Sequence, residues 1–428
     1  MVYMPHWPQV LGKRPIDLDL IRIKALMEVL GNPHLGMAPI IHVAGTNGKG
    51  STVAFLKAIL KAAGLKVQTY TSPHLVEFNE RIDFGDRTIS DAELFEVIEL
   101  CRLACEEAEI HPTVFEGTTA AAFVAFSRHD AHVCILETGL GGRMDATNLF
   151  PQPDCTIITP ISMDHMDYLG NTIEEIAFEK AGIIKPGAPC IVSQQLPEVM
   201  EVIRQRANEC GAPLWEYGKH WMVTQAPDGL RYVEAGYELL FPQLSLAGVH
   251  QYLNAGCAIA ASRRAIRFDI NDQQRVQGLQ TAHWPGRLQR ITSGRLVASL
   301  PQDWELWMDG GHNPGGAEVL ARWISDNNDK PTCLITGMTK GKDSSGFFAP
   351  MVGKVTGVCG FCVKSEPNSQ PADMITQAAG SVGLEAQSRE SLDEAIHYLV
   401  DKIKEPSRIL ICGSLFLVGD VLKENGKL

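Results

Sequence analysis

The sequence has no run approaching the roughly 20 apolar residues that a membrane-spanning helix needs. Its first residues, MVYMPHWPQVLGKRP, lack the apolar core of a signal peptide and the Arg and Ser enrichment of an organelle-targeting segment. The expectation is a cytoplasmic protein with no membrane partner. A basic excess is also missing: 38 Lys and Arg stand against 50 Asp and Glu, a formal net charge of −12. That balance argues against nucleic acid as the main partner, because phosphate-backbone binding rests on a basic face. It does not exclude a local positive site for a small anion. Short repeats and low-complexity tracts are absent. The 11 cysteines are odd in number and scattered, which fits reduced thiols better than a disulfide framework. The CxxC at Cys359-Gly-Phe-Cys362 reads either as a redox or metal pair or as two thiols in the apolar strand VTGVCGFCV. With no second pair and no helix start directly after it, the strand reading is preferred.

What is present is an alternation of short apolar strands and helices. The chain has 428 residues, 45% of them hydrophobic and 21% charged. That length exceeds the roughly 250–300 residues at which single cores stop growing, so two domains are expected. Asp17 is placed to cap a first helix with Leu18, Ile21, Ala25 and Val29 on one face, ended by Gly31-Asn32-Pro33. Then come a strand Ile40–Ala44, a glycine-rich turn, a helix from Lys49 to Ala63 with Val53, Leu56, Leu60 and Ala63 as its buried stripe, and a strand Lys66–Tyr70. Further strands are expected at Val133–Glu137, Cys155–Thr159 and Cys190–Ser193, and helices at Ala92–Glu107, Thr118–Ser127 and Ile173–Ala181. Such alternation implies a parallel sheet covered on both faces. Residues from Trp215 to Leu246 read as β-rich.

A second series follows Trp284-Pro285-Gly286-Arg287. Its strands are expected at Leu306–Met308, Thr332–Thr336, Val355–Cys362 and Arg408–Cys412. Its helices are expected at Gly315–Ile324, at Leu392–Ile403 and after Ser414. The predicted architecture is α/β throughout: an N-terminal parallel-sheet domain of P-loop type over residues 1–286, and a smaller Rossmann-like domain over 287–428.

HVAGTNGKGST (His42–Thr52) lies between a strand and a helix, the context a phosphate loop requires. Glycines let the backbone fold around oxygens, and amides at a helix start face negative charge. Thr46, Asn47, Gly48, Lys49, Gly50 and Ser51 are therefore candidates for the nucleotide site, with Lys49 reaching the β- and γ-phosphates and Ser51 offering a hydroxyl to phosphate or Mg²⁺. The run departs from GxxxxGK[ST], since Gly50 separates the lysine from the hydroxyl. Glu137 closes the strand VCILE, at the sheet end where ligands bind in open parallel sheets. A lone Glu there reads as a solvated turn carboxylate. Followed by Gly139, Gly141, Gly142 and Arg143, it reads better as a Mg²⁺ ligand.

This form of the loop resembles the Mur ligase superfamily, and GTNGKGS resembles its folylpolyglutamate synthase and dihydrofolate synthase branch. Further matches run in the family's order: TSPHL (Thr71–Leu75), LETGLGGRMDATN (Leu136–Asn148), SMDHMDYLG (Ser162–Gly170), FEKAGIIKPG (Phe178–Gly187), YLNAGCAIAA (Tyr252–Ala261), WPGR (Trp284–Arg287), DGGHNP (Asp309–Pro314) and CGS (Cys412–Ser414). PIDLDLIRIK (Pro15–Lys24) and TVFEGTT (Thr113–Thr119) resemble the two pterin-contacting segments of the bifunctional bacterial enzymes. Thr138, Met144 and Gly311 depart from the family's usual Val, Leu and Ala.

The resemblance implies an ATP-dependent ligase. It would phosphorylate a pteroate or folate carboxylate and let the amine of L-glutamate displace phosphate, with dihydropteroate and reduced folates as acceptors. A carboxylate oxygen is a poor leaving group, and the acyl phosphate supplies a good one. ATP, Mg²⁺ and an additional K⁺ are the expected small partners, and monomers are usual for the family. By resemblance, His165 and Ser72 join Glu137 on the metal. Lys180 is carbamylated and holds a second Mg²⁺, although a lysine on EEIAFEKAG alone reads as a surface residue. Asn254, taken to open a helix, contacts adenine, Arg287 the polyphosphate and Asp309 the ribose. His312 and Ser414 lie on the amino-acid side. Ile16, Asp17, Leu18, Pro73, His74, Thr113, Phe115, Glu116, Met144, Asp145 and Ala146 are expected around the folate, with Phe115 stacking on the pterin. Lys49, His165 and Lys180 are the catalytic set.

Three alternatives stay open at this stage. One is a folylpolyglutamate synthase without the dihydrofolate synthase step. The second is a cell-wall amino-acid ligase, which would typically lack TSPHL. The third is a nucleotide switch or motor, in which DGGHNP and WPGR have no role.

Overall fold

The computed structural model describes residues 18–227, 229–264 and 267–426. Contacts gather the chain into two units, one formed by residues up to Ile161, Met166–Ser245 and Gln251–His283, the other by Ser162–His165, Leu246–His250 and Trp284 onward.

The first unit is built on seven strands: β1 (Ile40–Ala44), β2 (Val67–Tyr70), β3 (Ile82–Asp83), β4 (Val133–Glu137), β5 (Cys155–Ile158), β6 (Cys190–Val192) and β7 (Leu214–Glu216). Their order is β3-β2-β4-β1-β5-β6-β7, with only the β2–β3 pair antiparallel. IIHVA, VCILE and CTII are buried at every position, as continuous apolar runs must be when helices cover both faces. The chain leaves β1 for one side of the sheet, returns through β4, and continues with β5 on the other side. The strand order thus reverses around β1, and the loops after β1, β4 and β5 share one end of the sheet. Between Trp215 and Leu246, the β-rich expectation corresponds to a separate antiparallel sheet of β8 (Trp221–Ala226), β9 (Gly229–Glu234) and β10 (Tyr237–Phe241).

Three local expectations are corrected in this unit. The first helix spans Ile21–Val29 and buries Ile23, Leu26 and Met27, whereas Ile21 and Val29 are exposed. The segment carries apolar residues on two faces, and periodicity alone cannot choose between them. The face of Ile23, Leu26 and Met27 is the one that joins the buried core holding Phe123 and Phe150. The expected cap Asp17 lies outside the described residues, and Asp19 Oδ1 accepts from Ile21 N instead. The helix expected from Thr118 starts at Val114, because Thr113 and Glu116 form a reciprocal cap. The helix Lys49–Ala62 is buried on more than one stripe, since a second helix, Asp272–Thr281, packs on it and brings Gly278 against the backbone of Ile59.

The second unit holds β11 (Gln289–Ile291), β12 (Glu305–Met308), β13 (Thr332–Thr336), β14 (Val358–Phe361), β15 (Ala386–Arg389) and β16 (Arg408–Cys412), ordered β11-β12-β16-β13-β14-β15 with only β11 antiparallel. The strand expected at Val355–Cys362 is shorter, because β15 pairs only with Val358–Phe361. Cys359 is buried in β14 and Cys362 is exposed, and all 11 cysteines are free. Again the order reverses, here between β12 and β13 with β16 inserted, so the loops after these three strands share one sheet end. No helix among the described residues is long and apolar enough to cross a membrane.

Glu305 ties β12 to β16. Burial raises its pKa, but donors on Trp307, Lys330 and Arg408 outweigh that and hold it down to about 2. A depressed carboxylate stabilises the fold above its ordinary value of 4.5 and loses that contribution as pH falls towards 2. Urea denaturation of wild type should therefore show a steep loss of stability across this window. Glu305→Gln should flatten the loss and lower stability at neutral pH by about 2 kcal/mol, allowing for screening. A variant whose stability tracks wild type across the window would refute this.

Candidate active site

In the first unit the phosphate loop turns directly off β1. Gly45 has φ +147, and a Cβ there would lie 1.9 Å from Thr159 Oγ1, so only glycine lets the loop pass the end of β5. The amides of Thr46 and Asn47 donate to Pro160 O at 3.0 and 3.1 Å, fixing the loop's first bend. Gly48 has φ +86 and opens the helix Lys49–Ala62, where a Cβ would meet Asn254 Oδ1 at 2.3 Å. Lys49 Nζ and Lys180 Nζ both donate to Gly45 O, at 3.1 and 3.0 Å, and Lys49 also reaches Thr46 O. Two ammonium groups on one carbonyl make a strongly positive point. Ser51 Oγ is buried beside them without a protein hydrogen bond, as suits a hydroxyl that receives an oxygen ligand.

Asn254 does not open its helix, which runs from His250 to Arg264. It lies in the second turn, buried, with Nδ2 donating to Gln251 Oε1. That position gives it the close approach to Gly48.

Glu137 ends β4 in register with Val43, one strand over from the phosphate loop. Its carboxylate is buried, and Ser72 N approaches it at 3.4 Å. The glycines after it are required by contact. A Cβ on Gly139 would strike the Phe115 ring at 2.3 Å, and one on Gly142 would meet Glu179 O and Lys180 O at 2.9 Å. The loop that follows Glu137 thus packs against Phe115 and against the helix that carries Lys180. A buried carboxylate and a neighbouring serine suit a hard divalent cation, so Ser72 and Glu137 are the residues of this unit that could hold one. Among the described residues no three His, Cys, Asp or Glu side chains gather around one point.

The remaining first-unit candidates divide into holders and surfaces. Asp145 is buried and accepts from Gly139 N, Leu140 N, Thr147 N and Thr147 Oγ1, so its carboxylate organises the loop beside it. Burial nonetheless pushes its pKa up. Glu116 is likewise engaged, taking Arg22 Nε and Nη2 at 3.1 Å and Thr113 N at 2.6 Å. The Phe115 ring lies 6.2 Å from that of Tyr70, and Ala146 is buried nearby in the same core. His74 accepts from Arg81 Nε, Pro73 is exposed, and Met144 and Leu18 are half-buried. Ile16, with Asp17, lies outside the described residues.

In the second unit the loops after β12, β13 and β16 converge. Asp309 ends the β12 strand's run and accepts from Leu288 N at 2.8 Å and Gly311 N at 2.6 Å, holding the stretch that carries Arg287 against DGGHNP. Gly310 N donates to Gly286 O and Gly413 N to Gly311 O, so WPGR, DGGHNP and CGS are laced together by backbone. A Cβ on Gly310 would meet Arg287 Nη1 at 2.5 Å. Ser414 is buried and caps the helix Leu415–Glu424.

Three residues were not singled out from the sequence. Asp164 Oδ2 lies 3.3 Å from His312 Nε2 and accepts from Asn313 Nδ2, while Oδ1 accepts from Lys342 Nζ at 2.5 Å and His165 N at 2.9 Å. Burial raises its pKa, but the cations around it hold it far below the usual carboxylate range. The third is His250. Burial pushes its pKa down to about 4, Asp309 opposing and Arg287 assisting. The available signals were the Asp inside SMDHMDYLG, the lysine of MTKGKD after β13 and the histidine just before YLNAG. His165 has φ +53, left-handed for a non-glycine residue, and an exposed side chain.

Two α/β units, each with loops at a sheet end where strand order reverses, one of them carrying a phosphate loop, define a ligase of the Mur type. The family description Mur ligase middle domain matches residues 43–262, and Dihydrofolate synthetase, C-terminal domain matches 296–424. The chain is 35% identical to the dihydrofolate synthase/folylpolyglutamate synthase of Bacillus subtilis, over 98% of this chain and 96% of that protein. It is 32% identical to the enzyme of the same name from Escherichia coli, over 96% and 92%. Among solved structures, Escherichia coli FolC in complex with DHPP and ADP superposes with a TM-score of 0.87 at 30% identity, covering 98% of this chain and 95% of that one. A bifunctional folylpolyglutamate synthase/dihydrofolate synthase with Mn, AMPPNP and L-glutamate bound gives 0.84 at 30% identity, covering 97% and 96%. The chain belongs to the dihydrofolate synthase/folylpolyglutamate synthase family.

The glycine contacts make a direct prediction. Gly48→Ala should weaken binding of a fluorescent ATP analogue at least about tenfold, the equivalent of 1.4 kcal/mol, with the circular dichroism spectrum unchanged. Truncating the obstructing side chain with Asn254→Ala should leave the Gly48→Ala penalty smaller than in the Asn254 background. Equal penalties in both backgrounds would show that the contact is not what requires glycine.

Proposed function

We propose that the protein joins L-glutamate to dihydropteroate, and to the γ-carboxylate of reduced folates, at the expense of ATP. The observation carrying this reading is the phosphate loop turning off β1 with Lys49 and Lys180 on one carbonyl and the buried Glu137 one strand away. Relatives of matching length carry both activities in their names, and neighbours hold DHPP with ADP, or AMPPNP with Mn and L-glutamate. The setting is the cytoplasm and the working form a monomer.

In this reading the amides of Gly48 and Gly50 face the phosphate oxygens, Thr46 and Asn47 shape the loop through their bonds to Pro160 O, and Asn254 lies against the adenine. Lys49 neutralises charge as the γ-phosphoryl passes to the acceptor carboxylate, and Ser51 directs its hydroxyl to the same oxygens. A divalent cation, Mg²⁺ in the cell, would supply further charge neutralisation; Ser72 and Glu137 are its proposed ligands in the first unit, and family likeness assigns His165 to the metal as well. K⁺ is an additional cation for the same charge-rich site. Phe115 and the segments around Leu18, Pro73, His74, Met144 and Ala146 receive the pterin and its benzoate. Thr113, Glu116 and Asp145 hold those segments in shape through the bonds they already make. By family likeness Arg287 and Asp309 are assigned to the nucleotide, and His312 and Ser414 to the amino acid.

Lys180 takes its role from burial. An ammonium beside Lys49 repels both its neighbour and the cation, whereas a carbamate formed from CO₂ carries negative charge and can hold a second Mg²⁺. Native mass spectrometry should show the added CO₂ on wild type and its absence in Lys180→Arg, which should lose most activity. An unmodified wild type together with a fully active Lys180→Arg would end this assignment.

For the reaction itself, phosphate release by purified protein should require ATP, L-glutamate and dihydropteroate together, with dihydrofolate detected by mass spectrometry. Lys49→Ala should abolish turnover with the fold intact. Product with reduced folates but none with dihydropteroate would restrict the enzyme to polyglutamylation. Phosphate release with neither acceptor nor amino acid would overturn the ligase reading.

A further inference from the structure

The second unit holds one buried charge with no assigned task. The side chain of Asp164 is 7% exposed and that of Lys342, its ion-pair partner at 2.5 Å, is 12% exposed. Burying such a pair costs desolvation, and the cost is offset only when the remaining lone pairs are bonded. Here they are: Asn313 Nδ2 at 3.0 Å and His312 Nε2 at 3.3 Å share Oδ2, and His165 N takes Oδ1 at 2.9 Å. The other His312 nitrogen, Nδ1, lies 3.1 Å from Gly310 O, so the ring is held at both ends. None of these bonds belongs to a helix or a sheet ladder. They join three loops: Ser162–His165, the DGGHNP loop after β12, and the loop after β13 that carries Lys342.

We propose that Asp164 is a positioning residue for L-glutamate: its carboxylate fixes His312, Asn313 and Lys342 in the arrangement that receives the amino acid. This rests on the ligase reading above and on the place of His312 in it. The chemistry supports the choice of amino acid over nucleotide. L-glutamate brings two carboxylates, and the cluster sets the Lys342 ammonium, with N–H groups beyond the one given to Asp164, beside a ring and an amide that Asp164 holds in place. Asp164 keeps these donors ordered when no ligand is bound, so that glutamate meets a prearranged site. Asp164 need not touch the substrate for this.

The test separates substrates. Initial rates are measured with L-glutamate, ATP and dihydropteroate varied in turn, for wild type, Asp164→Asn, Lys342→Met and the double variant, alongside thermal unfolding. Asp164→Asn should raise the KM for L-glutamate at least about tenfold while the KM values for ATP and dihydropteroate stay within about twofold. Lys342→Met should raise the same KM, and the double variant should rise by less than the product of the two single effects, because the residues act as one unit. Asp164→Glu should recover part of the loss. If Asp164→Asn does not fold, Lys342→Met carries the same expectation by itself. An unchanged glutamate KM in the folded variants, or an equal rise for all three substrates, would overturn the proposal while leaving the ligase intact. A wild type that makes no product from L-glutamate with either dihydropteroate or reduced folates would overturn both.

Discussion

The site in the first unit depends on how closely its backbone passes other atoms. Gly45 must clear Thr159 at the end of β5, and Gly48 must clear Asn254. A side chain at either point would push the loop off the strand that launches it and turn its amides away from a common centre. The left-handed φ of Gly48 is what starts the helix at Lys49 and so points the first helical N–H groups at the loop's concavity. The sheet supplies the other half of the constraint. Because β1 lies between β4 and β5, the loop, Glu137 and Thr159 come to one edge without any contact having to bend the sheet.

The second unit reaches a similar arrangement with acids in place of glycines. Asp309 collects two backbone amides, and backbone bonds link Gly286, Gly310, Gly311 and Gly413. In the first unit Asp145 and Glu116 do comparable work. A buried carboxylate can accept several N–H bonds at once, which is why a short acidic side chain can hold an irregular loop that has no ladder to hold it. Four acids at candidate positions, Asp145, Glu116, Asp309 and Asp164, have their oxygens occupied by the protein itself. Their value to chemistry lies in what they keep still.

The sequence reading was strongest where a single element carries the signal. Strands β1, β4, β13 and β16 were placed to the residue, because uninterrupted apolar runs have one interpretation in a covered parallel sheet. The phosphate loop was legible from its glycines and lysine. Reading failed where two faces competed, as at Ile21 and Ile23, and where a polar pair outside the periodic pattern set the boundary, as Thr113 and Glu116 do. Much of the candidate site was named from motifs, but not the mutual contacts of its residues. Asp164 and Lys342 are 178 residues apart, and no spacing rule joins them. The approach of Asn254 to Gly48 depends on packing that periodicity does not contain.

The strip Ser162–His165 shows why such contacts escape a linear reading. It groups with the second unit although the chain on both sides belongs to the first. Within it His165 adopts φ +53, a conformation that costs a non-glycine residue about 1 kcal/mol or more. Consecutive residues there have opposite surroundings: the Asp164 side chain is buried in a cluster of donors, and that of His165 is 42% exposed. The bond from His165 N to Asp164 Oδ1 helps hold the left-handed turn, so the same carboxylate that gathers His312, Asn313 and Lys342 also sustains the backbone conformation of its neighbour. Strain at His165 and burial of Asp164 are therefore two parts of one local structure, and neither is explained by the stability of the helix that follows.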